Sequence, residues 1–375
     1  MAKFSSDKHV VKNRSDRPRV LVAPLDWGLG HATRCIPVIY ELQKQQADVW
    51  LAGERSQERL LKQEFPDLPF LPLQGYRVSY SRTASGLWRA LLHQMPGLWR
   101  SVQREKKWLS SMVDQYQFDL VISDNRFGLS HPVVPSIFIT HQLTIKTSLG
   151  KWLDKQAQRM NYQFIRKFHE CWIPDYKTAP NLAGTLAHPV VYPDIPCYYT
   201  GILSRLQQSD TVVKERHLFI SLSGPEPQRT IWEDKLINDL FNYKGTAVVV
   251  RGLPAAERFM PSTNDIHFFN HLGTNDFAVE IGKAEWVICR SGYSTVMDLA
   301  RMGKKAILVP TPGQPEQEYL AKHLHNEGFA PFISQKDFTL ERALSLASNY
   351  TYRPFDNNRN TLAEVVEQLM RKAFV

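Results

Sequence analysis

The sequence predicts an α/β protein with two doubly wound, Rossmann-like domains that face each other across a cleft. Short apolar runs alternate with stretches of helical periodicity along most of the 375 residues, which predicts parallel sheets covered by helices on both faces. The alternation stops between Ala179 and Arg205, a segment rich in Pro, Gly and Tyr without a sustained period. We therefore expect an N-terminal domain over 17–200, a second domain over 201–355 and a C-terminal helix over 356–375.

In the first domain, apolar runs predict the strands, and the periodic stretches between them predict the helices. The first strand, Arg19 to Leu25, leads through a glycine turn into a helix from His31 to about Gln46. The other strands are expected at Asp48 to Ala52, Phe70 to Leu73, Leu120 to Ser123, Ser136 to Thr140 and Glu170 to Ile173, with helices near 54–64, 85–116 and 149–168.

The second domain repeats the pattern. Its strands are expected at His217 to Leu222, Ala247 to Arg251, His267 to Phe269, Trp286 to Cys289 and Lys305 to Val309. Its helices are expected near 228–241, 274–283, 294–302 and 316–327, followed by an amphipathic helix from Asn358 to Arg371. In such doubly wound sheets, ligands bind beyond the carboxyl ends of the strands.

Composition and charge narrow the class of protein. No apolar run approaches the roughly 18 residues that cross a bilayer, and the first 18 residues lack the apolar core of a signal peptide; we therefore expect a cytoplasmic protein that can lie peripherally at the inner face of a membrane. The net charge of +9 falls entirely in residues 1–200, which hold 26 Lys and Arg against 17 Asp and Glu, while residues 201–375 hold 20 of each. This excess favours an anionic partner.

Several kinds of site find no support in the residues. The four cysteines are scattered without the spacing of a metal or redox pair, and no Asp-x-Asp pair, GxSxG elbow or Walker loop is present. We expect no metal and no other cofactor. No motif that reads DNA or RNA occurs, so a nucleic-acid partner is not expected.

The segment from Trp286 to Pro310 predicts a site for a phosphate. A buried strand runs into the turn Ser291-Gly292 and then into a helix, whose first backbone amides and positive dipole end attract anions. Ser294 and Thr295 add hydroxyl donors. Asp298 lies roughly 10 Å from Ser291 along a regular helix, about the distance from a nucleotide diphosphate to its ribose hydroxyls. A solvated helix surface is the alternative role for Asp298.

His31 and Asp124 are the candidate catalytic residues. His31 opens the helix after Gly28 and Gly30, at the carboxyl end of the first strand, and Asp124 ends the strand DLVISD. A helix start disfavours the protonated imidazole, so His31 could accept a proton from a hydroxyl. Asp124 would then orient the imidazole and stabilise its protonated form. Each residue could instead be a cap.

Further polar residues follow other predicted strands. His141 and Gln142 come after SIFIT and suit contacts with an acceptor. On the second domain, the candidates for donor phosphate or sugar hydroxyls are Ser223, Gly224, Arg229, Arg251, Arg290, Gln317 and Glu318.

The segment 76–109 interleaves tryptophans with basic residues and has one acid, Glu105. Aromatic and basic residues on an amphipathic helix are typical of contact with an anionic bilayer, although tryptophans packed in the core would leave a similar pattern.

Together these residues resemble the family 28 glycosyltransferases, in particular the peptidoglycan lipid-intermediate N-acetylglucosaminyltransferases. VICRSGYSTVMDLARMGKKAILVP followed by EQEYLAKHL is similar to the family's donor-binding segment, GLGHATR to its glycine-rich turn, and IFITHQLTIKTSLGKWL to its acceptor-side segment. The resemblance implies the two-domain GT-B fold and inverting, metal-independent transfer of a sugar from a nucleotide sugar, in particular a uridine diphosphate sugar, to a hydroxyl of a glycan or lipid-linked acceptor. His31 would be the base and Asp124 its helper.

The chain also departs from the family pattern. The glutamate expected after His141 is missing, the phosphate loop is SLSGPEPQR instead of a Gly-Gly-Ser turn, and Glu318 stands where a glutamine is expected. The donor sugar therefore stays open. Two alternatives also remain: a nucleotide-sugar hydrolase, whose N-terminal turn GLGHATRC resembles, and a non-catalytic sugar-nucleotide sensor on the same fold.

Overall fold

A computed structural model of the chain describes residues 17–76, 84–147, 150–207, 217–254, 256–355 and 361–374. Two parallel sheets organise it, each flanked by helices. The first has seven strands in the order β3-β2-β1-β4-β5-β6-β7 and the second has five in the order β10-β9-β8-β11-β12. This arrangement confirms the predicted pair of Rossmann-like units. The exact domain boundaries at residues 200 and 355 stay a prediction.

The first sheet forms because its central strands are apolar on both faces, as expected for strands covered by helices on two sides. Its strands are β1 (Arg19–Pro24), β2 (Asp48–Gly53), β3 (Phe70–Pro72), β4 (Leu120–Asp124), β5 (Ser136–Ile139), β6 (Glu170–Ile173) and β7 (Cys197–Tyr199). The helices are α1 (Gly30–Lys44), α2 (Arg55–Glu64), α3 (Ala84–Tyr116) and α4 (Lys151–Ile165).

The second sheet is built in the same way around the buried strands β8 and β11. Its strands are β8 (His217–Ser221), β9 (Thr246–Val250), β10 (Ile266–Phe269), β11 (Trp286–Cys289) and β12 (Ala306–Leu308). The helices that follow in the chain are α5 (Gln228–Leu240), α6 (Thr274–Lys283), α7 (Tyr293–Met302), α8 (Pro315–Asn326), α9 (Leu340–Ser348) and α10 (Thr361–Phe374).

The segment predicted as a structureless connection is partly ordered. It contains a short 3-10 turn at Gly184–Leu186 and the edge strand β7, which pairs with β6. The three residues of β7 are only half-buried, so they leave no apolar run for a sequence pattern to detect. α9 was likewise not predicted.

α10 returns to the first sheet. It packs against α1 and β7, and Lys372 Nζ donates to Tyr198 Oη at 3.0 Å. The C-terminal helix is therefore part of the packing of the N-terminal half rather than a separate appendage.

Each sheet has a point where the strand order reverses, between β1 and β4 in the first and between β8 and β11 in the second. The chains that leave neighbouring strands there diverge to opposite faces and open a crevice at the carboxyl ends, where ligands bind in this class of fold. His31 follows β1, and Asp124 is the last residue of β4. On the second sheet, Ser223 follows β8 and Ser291 follows β11. The predicted site residues thus cluster at both reversal points.

Candidate active site

The strand register brings His31 and Asp124 together. Pro24 and Asp124, the last residues of β1 and β4, are partners across the ladder. Gly28, with a φ of 81°, turns the chain from β1 into α1, and His31 lies in the first turn of that helix. Its Nδ1 is 2.9 Å from Asp124 Oδ1. The two predicted catalytic residues therefore form a hydrogen-bonded pair.

Arg34 completes this pair and was not assigned a role from the sequence. It is one helical turn after His31, fully buried, and its guanidinium binds both oxygens of Asp124, with Nε 2.5 Å from Oδ2. Burial alone would raise the pKa of Asp124, but Arg34 and His31 outweigh it and hold that pKa far below its usual range. The spacing of three residues on one helix was the available signal.

Because Asp124 is ionised, it can only accept, so His31 Nδ1 must carry the proton of their hydrogen bond. His31 Nε2 is then left with its lone pair. Burial, reinforced by the charge of Arg34, lowers the pKa of His31 below 6.5 despite the opposing carboxylate. The imidazole is consequently neutral near pH 7 and able to take a proton through Nε2.

His141 and Gln142 connect this pair to the second half of the molecule. Arg34 Nη1 donates to His141 Nδ1 at 3.1 Å, so His141 carries its proton on Nε2, which donates to Glu316 Oε1 at 2.8 Å. Gln142 Nε2 donates to the other oxygen of Glu316. Glu316 belongs to the first turn of α8. A chain of hydrogen bonds therefore runs from His31 across the cleft to the donor-side half.

Tyr293 reinforces the same crossing. Its ring stacks on His141 with centroids 4.2 Å apart, and its hydroxyl donates to Pro174 O at 2.7 Å. Sequence reasoning missed Glu316 and Tyr293, because their partners lie on the other half and contacts between halves leave no local pattern. For Glu316 the one hint was its place beside two other candidates, Gln317 and Glu318.

The turn between β11 and α7 meets the first half closely. Ser294 Oγ donates to Gly30 O at 3.0 Å, and a Cβ at Gly30 would lie 2.8 Å from that Oγ, so any larger residue there would displace the Ser294 side chain. Ser291 Oγ donates to Gln317 O at 2.8 Å. Gly292 caps α7, and Thr295 lies half-buried in its first turn. The amide end of α7 therefore points at the cleft beside His31.

Arg290 is a buried cation without a carboxylate partner in the described part of the chain. It is 1% exposed; Nη1 and Nη2 donate to Val309 O and to Gln335 Oε1, and its guanidinium stacks over Trp232 at 4.2 Å. Burial lowers its pKa to about 9, so the group stays charged at neutral pH.

Two buried donors at this site have no hydrogen-bond partner among the described residues. One is Nε of the Arg290 guanidinium itself, and the other is the neighbouring hydroxyl of Thr311. Both face the turn after β8: a Cβ on Gly224, which has a φ of 107°, would be 3.4 Å from Thr311 Oγ1 and 4.0 Å from Arg290 Nε. Ser223, half-buried, precedes that glycine. Buried donors and an unpaired charge are costly unless something accepts from them.

Arg229 and Arg251 are, by contrast, already paired. Both bind Glu233, with Arg229 Nη1 at 2.9 Å and Arg251 Nε at 2.5 Å, and Arg251 also donates to Asn270. Glu233 is nearly buried. Arg229 Nε also pairs with Glu226 at 2.5 Å. The two arginines and two glutamates therefore form a neutralised cluster, and a direct donor contact from either arginine would require exchange of these partners.

The remaining donor-side candidates line the neighbouring helices. Asp298 is half-buried on α7, accepts from Ser204 Oγ at 2.5 Å, and has its pKa raised to about 6 by burial. Gln317 Oε1 accepts from Thr311 N at 2.9 Å, and Glu318 Oε1 from Gly313 N at 3.0 Å. Gln317 and Glu318 thus hold the turn 311–314, which carries Thr311. Their predicted contacts with a sugar stay predictions.

The described residues offer neither a metal site nor a membrane-spanning helix. Within the described ranges, no group of three His, Cys, Asp or Glu side chains is placed to hold a metal ion, and no helix is long and apolar enough to cross a membrane. Of the predicted basic and aromatic segment 76–109, residues 77–83 lie outside the description, as do the side chains of 84–96.

Comparison with known proteins agrees with this geometry. The family model described as Glycosyltransferase family 28 C-terminal domain matches residues 265–371. The chain is 43% identical over 335 residues, 86% of each chain, to a protein of Pasteurella multocida named UDP-N-acetylglucosamine--N-acetylmuramyl-(pentapeptide) pyrophosphoryl-undecaprenol N-acetylglucosamine transferase. It is 37% identical over 369 residues, 92% of each chain, to the protein of the same name from Haemophilus ducreyi.

Solved structures agree in fold. The chain is similar to MurG of Acinetobacter baumannii with a TM-score of 0.54 and 15% identity, covering 94% of this chain and 99% of that one. It is also similar to the spinosyn rhamnosyltransferase SpnG, with a TM-score of 0.60 and 14% identity over 95% and 96% of the two chains. These similarities confirm the predicted GT-B architecture. With two relatives above 30% identity over most of its length, the chain belongs to glycosyltransferase family 28 and is a glycosyltransferase.

Proposed function

We propose that this enzyme transfers a sugar, with inversion and without a metal ion, from a UDP-sugar to a hydroxyl of a lipid-linked acceptor. The observation that carries the proposal is the triad of His31, Asp124 and Arg34 at the first reversal point. It leaves one neutral, correctly protonated imidazole nitrogen free to act as a base beside the amide end of α7.

In this mechanism His31 Nε2 removes the proton of the acceptor hydroxyl as the oxygen attacks the anomeric carbon. Asp124 stabilises the imidazolium that forms, and Arg34 keeps Asp124 ionised throughout. A single displacement by a base-activated hydroxyl inverts the anomeric centre. The product anomer, read by NMR coupling constants, tests this step: retention would contradict it.

The leaving diphosphate would be stabilised by the donors of the second half. Arg290 supplies a fixed positive charge with no carboxylate partner in the described part of the chain. Arg290 Nε and Thr311 Oγ1 supply donors beside the Gly224 turn, and α7 supplies its dipole. These groups offer the charge stabilisation that a divalent cation supplies in other transferases. We therefore expect full activity after exhaustive treatment with EDTA, and a loss restored by Mg²⁺ or Mn²⁺ would contradict metal independence.

The names of the relatives suggest the substrates to try first. Both contain UDP-N-acetylglucosamine as donor and a pyrophosphoryl-undecaprenol acceptor, so we infer a uridine donor and an acceptor on a lipid pyrophosphate. A panel of nucleotide sugars with and without a lipid-linked acceptor, followed by product mass, tests this. Free sugar released at the same rate without acceptor would instead support a hydrolase.

We also propose contact with an anionic membrane through α3 and α4. Trp99 is 53% exposed on α3 and Trp152 is 69% exposed on α4, and the two helices meet where Trp99 packs on Phe164 at 6.2 Å. The two helices and the residues just after α4 also carry many basic side chains: Arg100, Arg104, Lys106, Lys107, Lys151, Lys155, Arg159, Arg166 and Lys167. Exposed tryptophans on helices rich in cations suit the interface of an anionic bilayer.

Sedimentation with vesicles containing phosphatidylglycerol tests the membrane proposal. The protein should pellet at low salt and less so at high salt, and Trp152→Ser should reduce the bound fraction. Phe241→Ser, which removes an 88% exposed ring from the other half, is the matched control and should bind normally. Failure of the wild type to pellet at low salt would reject a membrane contact.

A further inference from the structure

Arg126 is a fully buried arginine two residues after Asp124, and its guanidinium joins three separate segments. Nε donates to Glu105 Oε1 on α3 at 2.7 Å. Nη1 donates to Pro24 O, at the end of β1, at 3.2 Å, and Nη2 to Gln74 O, just after β3, at 2.6 Å. One side chain thus ties the ends of β1 and β3 to the long helix α3.

Glu105 is the buried counter-ion of Arg126 and has further partners. Its Oε2 accepts from Tyr76 Oη at 2.6 Å and from Gly128 N at 3.0 Å. A Cβ on Gly128 would lie 2.4 Å from Glu105 Cβ, so the loop after β4 sits directly on α3. Every oxygen of Glu105 is used, which makes this a satisfied network in which the removal of one member leaves the others unpaired.

The same network encloses Asp124. Ser123 Oγ donates to Arg126 O at 2.7 Å and accepts from Arg126 N at 3.2 Å, which closes a tight turn around Asp124 and Asn125. Asn125 has a φ of 60°, in the left-handed region that asparagine adopts more readily than most other non-glycine residues. The position of the Asp124 carboxylate therefore depends on the anchoring of Arg126.

We propose that Arg126 and Glu105 are positioning residues that hold the ends of β1 and β4 at the spacing at which His31 meets Asp124. Pro24, which Arg126 binds, is both the register partner of Asp124 and the last residue of the strand that leads to His31. In the described part of the chain neither Arg126 nor Glu105 hydrogen-bonds to the dyad, so they act through the backbone. The inference rests on the proposed role of His31 as base.

The position of Glu105 adds a consequence for the acceptor side. α3 also carries Trp99 and the basic residues proposed to contact the membrane. The ion pair between Glu105 and Arg126 therefore connects that face of the protein to the loop that holds Asp124.

Glu105→Gln is the test, because it keeps the shape of the side chain but leaves Arg126 without its counter-ion. We expect kcat to fall by about 10- to 100-fold, the usual consequence of a small misplacement of reacting groups, with the KM for the donor and the dissociation constant for UDP unchanged. Asp114→Asn makes the same chemical change at an exposed position of the same helix and should leave kcat as it is.

A double-mutant cycle separates positioning from general destabilisation. If Glu105 acts only through Asp124, Glu105→Gln should cost little further kcat in an Asp124→Asn background, because the geometry it protects is already lost. Full additivity of the two losses would overturn the proposal, as would wild-type kcat in the single variant. Should Glu105→Gln fail to fold, Tyr76→Phe removes one hydrogen bond to Glu105 and one from Phe127 N, keeps the ion pair with Arg126, and should show a smaller, equally non-additive loss.

Failure of the proposed base role of His31 can be told apart from failure of the positioning role of Glu105 and Arg126. If His31→Ala retained full activity, His31 would not be the base. The NMR titration of the His31 imidazole would then still report positioning: Glu105→Gln should move it toward the titration seen in Asp124→Asn, and an unchanged titration would overturn the positioning role.

Discussion

The two points at which the strand order reverses differ in how their buried charges are paired. At the first, between β1 and β4, the buried ions are paired with one another: Asp124 is held by Arg34 and His31, and Arg126 by Glu105. At the second, between β8 and β11, Arg290 is buried with no carboxylate beside it among the described residues, and Thr311 is a donor with no acceptor. A region whose buried charges already pair with one another suits proton transfer, whereas a buried cation that lacks an anion suits binding of a diphosphate.

The largest effect should follow from breaking the first region alone. His31→Ala removes the base, and we expect kcat to fall by about 100- to 10,000-fold, the range typical of general-base catalysis. Turnover with a UDP-sugar and a lipid-linked acceptor measures this. His169→Ala, at an exposed histidine of the same half whose ring accepts only from Ser136 N, should retain activity. A His31→Ala enzyme with wild-type turnover would remove His31 from catalysis.

Breaking the second region should affect binding instead. Arg290→Gln removes the unpaired charge, and loss of a charge-assisted hydrogen bond should weaken UDP binding by about 1.5–3 kcal/mol. Thr311→Val removes the neighbouring hydroxyl and should weaken it less. Calorimetry gives both values, with Lys244→Gln as an exposed cation on the same half for comparison. Unchanged UDP affinity in both Arg290→Gln and Thr311→Val would mean that the diphosphate lies elsewhere.

Asp298 sharpens the comparison, because its proposed ligand is the ribose rather than the diphosphate. Asp298→Ala should weaken UDP binding by about 1–3 kcal/mol. Because the pKa of Asp298 is raised to about 6, wild-type affinity should fall as the pH drops through 6 and the carboxylate takes up a proton. Asp298→Asn should lack that acidic limb, and an identical pH dependence in this variant would remove Asp298 from the nucleotide site.

The smallest effect concerns the pH dependence of the first region. Burial lowers the pKa of His31 from its ordinary value, so the neutral imidazole should persist to lower pH than in an ordinary histidine. The rate should therefore rise with pH on the acidic side, with its midpoint below the ordinary histidine value. The pH dependence of kcat/KM, which reports the free enzyme, measures this, and a midpoint above pH 7 would contradict the lowered pKa.

Much of this architecture was accessible from the sequence, because parallel strands buried on both faces leave continuous apolar runs such as VLVAP in β1. The meeting of His31 with Asp124 was also predictable, since both stand at the carboxyl ends of strands in one parallel sheet. The contact of Arg34 with Asp124 could also have been predicted, because Arg34 lies one helical turn after His31. These relations are local or follow from sheet topology.

Contacts between halves were not accessible. Glu316 reaches His141 over 175 residues of sequence, and its role depends on how α8 docks against the end of β5. The missing counter-ion of Arg290 is likewise a property of what surrounds it in space, which no pattern of residue types along the chain records. The short, half-buried strand β7 was not predicted for a simpler reason, because three residues carry too little apolar periodicity.

We propose that the first region supplies the base and the second binds the nucleotide. Calorimetric titration of UDP into His31→Ala tests this division most directly. We expect a dissociation constant close to that of the wild type, because every group proposed to hold the nucleotide lies on the second half. Loss of UDP binding in this variant, with the fold intact by circular dichroism, would contradict that division.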